Sequence, residues 1–96
     1  MDLSRLMASS CRQKILEALS KVGQTHVMDL VRRVNSTYGQ VNRNLQILES
    51  EGIVNIRYYG RLRMIKLDRE NPKTVTLLEV LRLLRKDREK WQMRLR

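Results

Sequence analysis

A group of polar side chains recurs at helical spacing near the middle of the chain. Glutamine and asparagine amides can form paired hydrogen bonds with the edge of adenine, and an arginine guanidinium can do so with guanine. The group comprises Gln40, Asn42, Arg43 and Gln46. If Val41, Leu45 and Leu48 point inward, this group points outward on the same helix. The pattern indicates a base-reading helix, although any surface helix is polar on its outer side.

Residues at the start of the same segment favour a close approach to a sugar-phosphate backbone. Ser36 and Thr37 stand where hydroxyls and free backbone amides can together bind a phosphate. Gly39 lets the backbone come close to a duplex because it has no side chain. We therefore expect Ser36, Thr37 and Gly39 to contact DNA.

A cluster of cations follows within residues 53–69. That stretch has a net charge of +4. Its cations are Arg57, Arg61, Arg63, Lys66 and Arg69, and its single acid is Asp68. A hairpin does not need this charge to fold, although cations on edge strands also discourage aggregation between sheets. We expect Arg57, Arg61 and Arg63 to bind the DNA backbone or to enter the minor groove.

Other kinds of chemistry find little support. Cys11 is the only cysteine and His26 the only histidine, whereas a zinc site usually needs three or four ligands. There is no glycine-rich phosphate loop and no pattern of nucleophile, base and acid. We expect no metal, no cofactor and no enzymatic activity.

Three amphipathic helices must position the polar group. The first follows Ser9 or Ser10 and ends at Gly23, and its inward residues are Ile15, Leu16, Leu19 and Val22. A short helical turn at Leu3, Leu6 and Met7 is possible before it. The second has Val27, Leu30, Val31 and Val34 on one side, with Thr25 or His26 near its start. The third, over residues 36–51, begins at a Ser36 cap and ends before Gly52.

A hairpin follows the third helix. Val54, Ile56 and Tyr58 alternate with polar residues, and Tyr59-Gly60 marks a turn. The returning strand has two apolar phases, one with Leu62 and Met64 and the other with Ile65 and Leu67. Either a bulge or a strand that is apolar on both faces would explain this pattern.

This order of elements resembles the winged helix-turn-helix transcription regulators of the broad MarR-like and ArsR-like group in bacteria and archaea. The resemblance covers residues 12–67, and the most similar part is residues 36–54. Leu48, Gly52 and Val54 match the family's pattern where the third helix ends. It implies that the third helix is the recognition helix and that the hairpin is the wing. The expected fold class is mainly α with a small β-hairpin wing, followed by a long C-terminal helix.

The C-terminal helix begins with Asn71 as its cap and Pro72 at its first position. Steps of four and three produce a heptad seam, with Arg88 inside it. The apolar seam residues are Leu77, Leu81, Leu84, Trp91 and Leu95. The seam can pack on its own chain or pair with a second copy, and a helix that overhangs its domain favours a homodimer.

Composition limits the alternatives. The chain has 96 residues and a net charge of +10, so it forms one small domain with an expected polyanionic partner. One cysteine permits no internal disulfide, and the N-terminal stretch has no signal-peptide pattern. We expect a cytoplasmic, nucleoid-associated prokaryotic protein that does not span a membrane.

The sequence therefore predicts a DNA-binding domain over residues 1–70 and a dimerisation helix, packed on the same domain, over residues 71–96. The predicted function is sequence-specific regulation of transcription by a homodimer on double-stranded DNA, with any small-molecule effector unknown. Two alternatives stay open. One is a sequence-tolerant architectural or chromatin protein, and the other is a winged-helix module that binds proteins within a larger complex.

Overall fold

The structure is a computed structural model that describes the backbone of residues 2–94 and the side chains of residues 2–87. Its helices are α1 (Leu3–Met7), α2 (Ser10–Val22), α3 (Val27–Val34), α4 (Tyr38–Ser50) and α5 (Pro72–Arg94). Its strands are β1 (Gln24–His26), β2 (Val54–Tyr59) and β3 (Leu62–Leu67). This architecture confirms the expected fold class, and α1 confirms the short helical turn before the first main helix.

The helix boundaries follow from local capping chemistry. The Ser9 hydroxyl accepts a hydrogen bond from the Arg12 backbone N–H at the start of α2, and Gly23 ends that helix with a φ of 80°. Thr37, not Ser36, caps α4, because the Thr37 hydroxyl accepts from the Gln40 N–H. Helix α4 thus starts two residues later than the predicted residue 36.

A single hydrophobic core lies between the helices and one face of the sheet. Its fully buried members include Leu16 and Leu19 of α2, Leu30 of α3, and Leu45 and Leu48 of α4. Burial of a leucine side chain contributes about 1.5–3 kcal/mol. The polar side of α4 is consequently held outward by the packing of its apolar side.

The sheet has three antiparallel strands in the order β1-β3-β2. The predicted hairpin corresponds to β2 and β3, and β1 is an additional strand. Residues 24–26 form β1, which pairs Gln24 with Lys66 and His26 with Met64. Periodicity could not reveal this strand, because three residues are too few to show alternation. His26 then caps α3, where its Nδ1 accepts from the Asp29 N–H.

The returning strand has no bulge. Its pairing with β2 is regular from Val54–Leu67 through to Tyr59–Leu62. Ile65 and Leu67 are buried against the core, whereas Leu62 is exposed on the other face. The strand therefore has apolar residues on both faces, which is the second of the two explanations offered by the sequence.

The end of α4 is tied to the start of α5 through Asn71. Its Nδ2 donates to the carbonyl oxygens of Glu51 and Gly52, at 3.1 and 2.9 Å, and its Oδ1 accepts from the Lys73 N–H. Gly52 has a φ of 72°, and a Cβ placed there would lie 3.0 Å from Asn71 Nδ2. Glycine is therefore required where the chain leaves the recognition helix for the wing.

The predicted seam of α5 divides into two parts. Leu77 and Leu81 are 0% and 3% exposed within the core of their own chain, so they do not form the surface of a dimer interface. This corrects their assignment as dimerisation residues: the first half of α5 packs on its own domain. Leu84 is 43% exposed and remains on the surface. The Trp91 side chain and Leu95 lie outside the described residues.

Two carboxylates make folding stability depend on acid pH. The Thr25 hydroxyl and the Arg33 guanidinium donate to Asp29 and lower its pKa from 3.8 to about 2. The Lys73 ammonium, 2.8 Å from Glu51, lowers the pKa of that carboxyl from 4.5 to about 2. Because the pKa values are lower in the folded state, the stabilisation is present above about pH 4.5 and is lost as the pH falls towards 2.

We therefore expect the free energy of unfolding, measured by urea titration, to decrease from pH 5 to pH 2. The cationic partners Arg33 and Lys73 are 46% and 47% exposed, so solvent screening keeps the decrease modest. Asp29→Asn and Glu51→Gln should each flatten the dependence on pH, with Glu70→Gln as the control. A decrease of equal size in all three variants would contradict the assignment.

Candidate nucleic-acid interface

The outer side of α4 is a polar surface held in place by the core and by α2. Gly39, Gln40, Arg43 and Gln46 are exposed there, as predicted from the inward positions of the helix. The Asn44 Nδ2 donates to the Gln40 carbonyl oxygen, and the Asn44 Oδ1 accepts from the Ser9 hydroxyl at 3.5 Å. The cap of α2 is thus linked to the recognition helix.

Asn42 is the predicted base-contacting residue whose position differs from expectation. It is half-buried, and its Oδ1 is buried without a hydrogen-bond partner. An amide needs both its oxygen and its nitrogen free to pair with an adenine edge. Helical spacing places Asn42 at the border of the outer side, and packing decides that its oxygen turns inward. In this conformation Asn42 cannot make that paired contact.

The start of α4 offers one exposed and one half-buried hydroxyl. Thr37 is exposed, and its oxygen accepts the Gln40 N–H, so the hydroxyl hydrogen is directed elsewhere. Ser36 is half-buried and donates to the Val34 carbonyl oxygen at 3.5 Å. Of the two predicted phosphate contacts, Thr37 is the more accessible.

The sheet register separates the wing cations between two faces. Val54, Ile56 and Tyr58 share a face with Leu67, Ile65 and Arg63, and this face continues from the core. Arg57 lies opposite Met64 on the other face. Arg61 follows Gly60 in the turn, where Gly60 has a φ of 63° that suits a tight hairpin connection. The three predicted wing contacts thus point in different directions around the hairpin.

Tyr38, which the sequence patterns did not reveal, joins α4 to strand β3 of the wing. The Arg63 Nη2 donates to the Tyr38 Oη at 3.2 Å, and the Arg63 Cζ lies 5.8 Å from the centre of the tyrosine ring. Both the hydrogen bond and the cation-π contact hold the guanidinium. An exposed tyrosine at the first position of the recognition helix was the available signal, but a contact across 25 residues is not visible in periodicity.

Charge is distributed unequally between the two parts of this surface. Residues 36–52, which contain α4, have a net charge of −1, whereas residues 53–69 have +4. Phosphate attraction would therefore come mainly from the wing, while the polar groups of α4 have the chemistry to distinguish bases. This division suits a surface that combines strong backbone anchoring with sequence reading.

Two further properties concern the described part of the chain. Within it, no group of three or more histidine, cysteine or acidic residues is arranged to hold a metal ion. No helix there combines the length and apolar character that a membrane span requires.

No protein-family model and no curated protein sequence matches the chain. Solved structures do match it. AntR, an antimony-specific transcriptional repressor, has a TM-score of 0.78 and 25% identity over 92% of this chain and 78% of that chain. NadR, solved in complex with 4-hydroxyphenylacetate, has a TM-score of 0.77 and 19% identity over 97% of this chain and 66% of that chain.

A third similar structure is a homodimeric winged helix-turn-helix DNA-binding domain from Mycobacterium bovis, described as a possible ArsR-family transcriptional regulator. It has a TM-score of 0.71 and 19% identity over 92% of this chain and 79% of that chain. These matches cover 92–97% of this chain, and they confirm the resemblance inferred from residues 12–67. The chain is thus a winged helix-turn-helix protein, with the fold of the ArsR-family transcriptional regulators to which it is similar.

Proposed function

We propose that this protein is a sequence-specific regulator of transcription that binds double-stranded DNA as a homodimer. The observation that carries the proposal is the exposed polar side of α4 beside the cationic wing. The similar structures include a transcriptional repressor and a DNA-binding domain, which supports the same function for this chain. A protein with this function works at the nucleoid, in the cytoplasm, and its action requires no catalysis.

In this proposal α4 enters the major groove, whose width of about 12 Å accepts a helix. Gln40, Arg43 and Gln46 are exposed and can reach base edges. Gly39 allows the first turn to come close to the duplex, and Thr37 lies beside the backbone. Asn42 contributes only if its side chain turns outward on binding.

The wing anchors the complex through phosphates. Arg57, Arg61 and Arg63 can reach the backbone or the adjacent minor groove, and their charges release counterions from the duplex. Because these contacts do not depend on base identity, they strengthen binding to every sequence. Arg57 would contact a phosphate on the side of the wing opposite Arg63, since the two residues lie on different faces of the sheet.

The homodimer would be formed by the distal part of α5. This helix has 23 residues and spans about 35 Å, which exceeds what its own domain covers. Leu83 and Leu84 are 52% and 43% exposed beyond the core residues, and Trp91 and Leu95 continue the seam in the sequence. A two-fold dimer would place two α4 helices in successive major grooves about 34 Å apart.

Charge opposes this pairing. Residues 73–96 have a net charge of +5, so two such helices side by side repel one another. Salt screens this repulsion, and bound DNA neutralises it. The apolar seam must therefore outweigh a repulsion that is weakest in the complex with DNA.

Selection of bound sequences from a random duplex pool tests the proposed function. We expect a consensus with two half-sites related by two-fold symmetry and separated by about 10 base pairs. Dense coating of DNA without a consensus would favour an architectural protein instead. A monomer that binds no duplex at moderate salt would favour a protein-interaction module.

Two substitutions then separate sequence reading from anchoring. Arg43→Ala should reduce the preference for the selected sequence over a scrambled duplex by about 1–3 kcal/mol, roughly 5-fold to 150-fold. Arg61→Ala should weaken binding to both duplexes by the same factor. Fluorescence anisotropy titrations on the two duplexes measure both effects, and the opposite result would mean that the reading and anchoring surfaces are misassigned.

A further inference from the structure

Arg63 differs from the other cations of the wing in how it is held. Arg57, Arg61, Lys66 and Arg69 are exposed, whereas Arg63 is half-buried. Its guanidinium contacts Tyr38 through the hydrogen bond at 3.2 Å and lies over the ring at 5.8 Å. Two contacts restrict both its position and its orientation, so less conformational entropy is lost when it binds a ligand.

Arg63 and Tyr38 keep further hydrogen-bond donors in addition to the one used in their mutual contact. A guanidinium has five N–H donors, and one of them is used on Tyr38. The tyrosine oxygen accepts that bond, so its own hydrogen is available to a second acceptor. Tyr38 is 48% exposed, and its hydrogen bond with Arg63 lies at the surface. The pair thus brings several hydrogen-bond donors and one positive charge together at one place on the surface.

A backbone phosphate matches this arrangement. It carries one negative charge, and its oxygens accept from guanidinium and hydroxyl donors together. Tyr38 is the first residue of α4 and Arg63 belongs to β3, so the site lies where the recognition helix and the wing meet. One phosphate bound there would set the position of both elements on the duplex.

We propose that Tyr38 and Arg63 form one phosphate-binding site, in which Tyr38 positions the Arg63 guanidinium on a single backbone phosphate of the duplex. The proposal rests on the proposed function, because it requires duplex binding. Tyr38 carries no charge, yet in this proposal it contributes to the electrostatic binding of the phosphate by positioning Arg63. Tyr38 also couples the wing to the recognition helix.

The dependence of affinity on salt tests the proposal. Each phosphate neutralised on B-DNA contributes about −0.9 to the slope of log affinity against log salt. Arg63→Ala should reduce the magnitude of this slope by about 0.9, because one charge is lost. Tyr38→Ala should reduce it by a similar amount although it removes no charge. The double variant should match either single variant.

Matched controls keep the result specific. Tyr59→Ala removes another exposed tyrosine, on the opposite face of the wing from Arg63, and should leave the slope unchanged. Arg61→Ala should reduce the slope by about 0.9 in the wild type and again in the Tyr38→Ala background. Thermal unfolding of each variant confirms that the fold is retained, which is expected because none of these side chains belongs to the hydrophobic core.

Tyr38→Phe isolates the hydroxyl. The ring stays beneath the guanidinium, and the loss of one hydrogen bond to a charged acceptor should weaken binding about tenfold. Affinity equal to that of the wild type would overturn the part of the hydroxyl in the shared site.

The two proposals can fail separately. If Tyr38→Ala keeps the wild-type slope while Arg63→Ala lowers it, the positioning role of Tyr38 is overturned and duplex binding stands. If the wild-type protein binds no duplex even at low salt, the proposed function is overturned together with the phosphate site.

Discussion

Leu84→Glu is expected to convert the proposed dimer into a monomer and to weaken binding to a duplex with two half-sites by at least about 100-fold. Leu84 is 43% exposed on the side of α5 that continues the seam beyond the buried Leu77 and Leu81. A carboxylate introduced there would have to be buried against the second copy, which is costly without a partner. The loss of affinity follows because a monomer engages only one half-site at a time.

Analytical ultracentrifugation and anisotropy titrations measure the two parts of this result. Val75→Glu is the matched control, because it introduces the same charge. Val75 is 55% exposed and lies nine residues before Leu84, on the other side of α5. The control should remain dimeric. Binding of the Leu84→Glu variant to a single half-site should stay close to that of the wild type. A Leu84→Glu protein that remains a dimer would show that another surface forms the interface.

Leu45→Ala is expected to lower the free energy of unfolding by about 2–5 kcal/mol. Leu45 is 0% exposed and packs α4 against the rest of the core. Its truncation to alanine removes apolar contacts and leaves a cavity. Small domains have total stabilities of about 5–15 kcal/mol, so a large share would be lost. Urea denaturation followed by circular dichroism measures the change.

The neighbouring residue provides the control for this substitution. Gln46→Ala changes an exposed side chain on the same helix and should alter stability by no more than about 0.5 kcal/mol. Gln46→Ala should instead affect sequence preference, since Gln46 belongs to the proposed base-reading side of α4. A Leu45→Ala protein as stable as the Gln46→Ala protein would show that α4 is not anchored through Leu45.

Much of the local structure could be predicted from short stretches of sequence. Ser9 and Gly23 bound α2, and Asn71 with Pro72 starts α5, because capping depends on groups only a few residues apart. The inward residues of α4 were predicted from their spacing, since a buried stripe must repeat with the helical period. The exposed set of Gln40, Arg43 and Gln46 follows from the same rule.

Predictions at the borders of elements were less accurate. Thr37 replaces Ser36 as the cap of α4, because adjacent hydroxyl residues have similar capping propensity and small differences in backbone geometry decide between them. Strand β1 was missed, because a strand of three residues is stabilised by its pairing with β3 and not by its own pattern.

The sequence by itself determined the helical periods, the caps, the separation of charge between α4 and the wing, and through these the winged helix-turn-helix fold. Only the tertiary structure decided that Asn42 turns its oxygen inward, that Leu77 and Leu81 belong to the core of their own chain, and that Tyr38 holds Arg63. The physical reason is the distance along the chain over which each kind of interaction acts. Periodicity and capping are local interactions, whereas burial and a contact between residues 25 apart depend on how the packed elements meet.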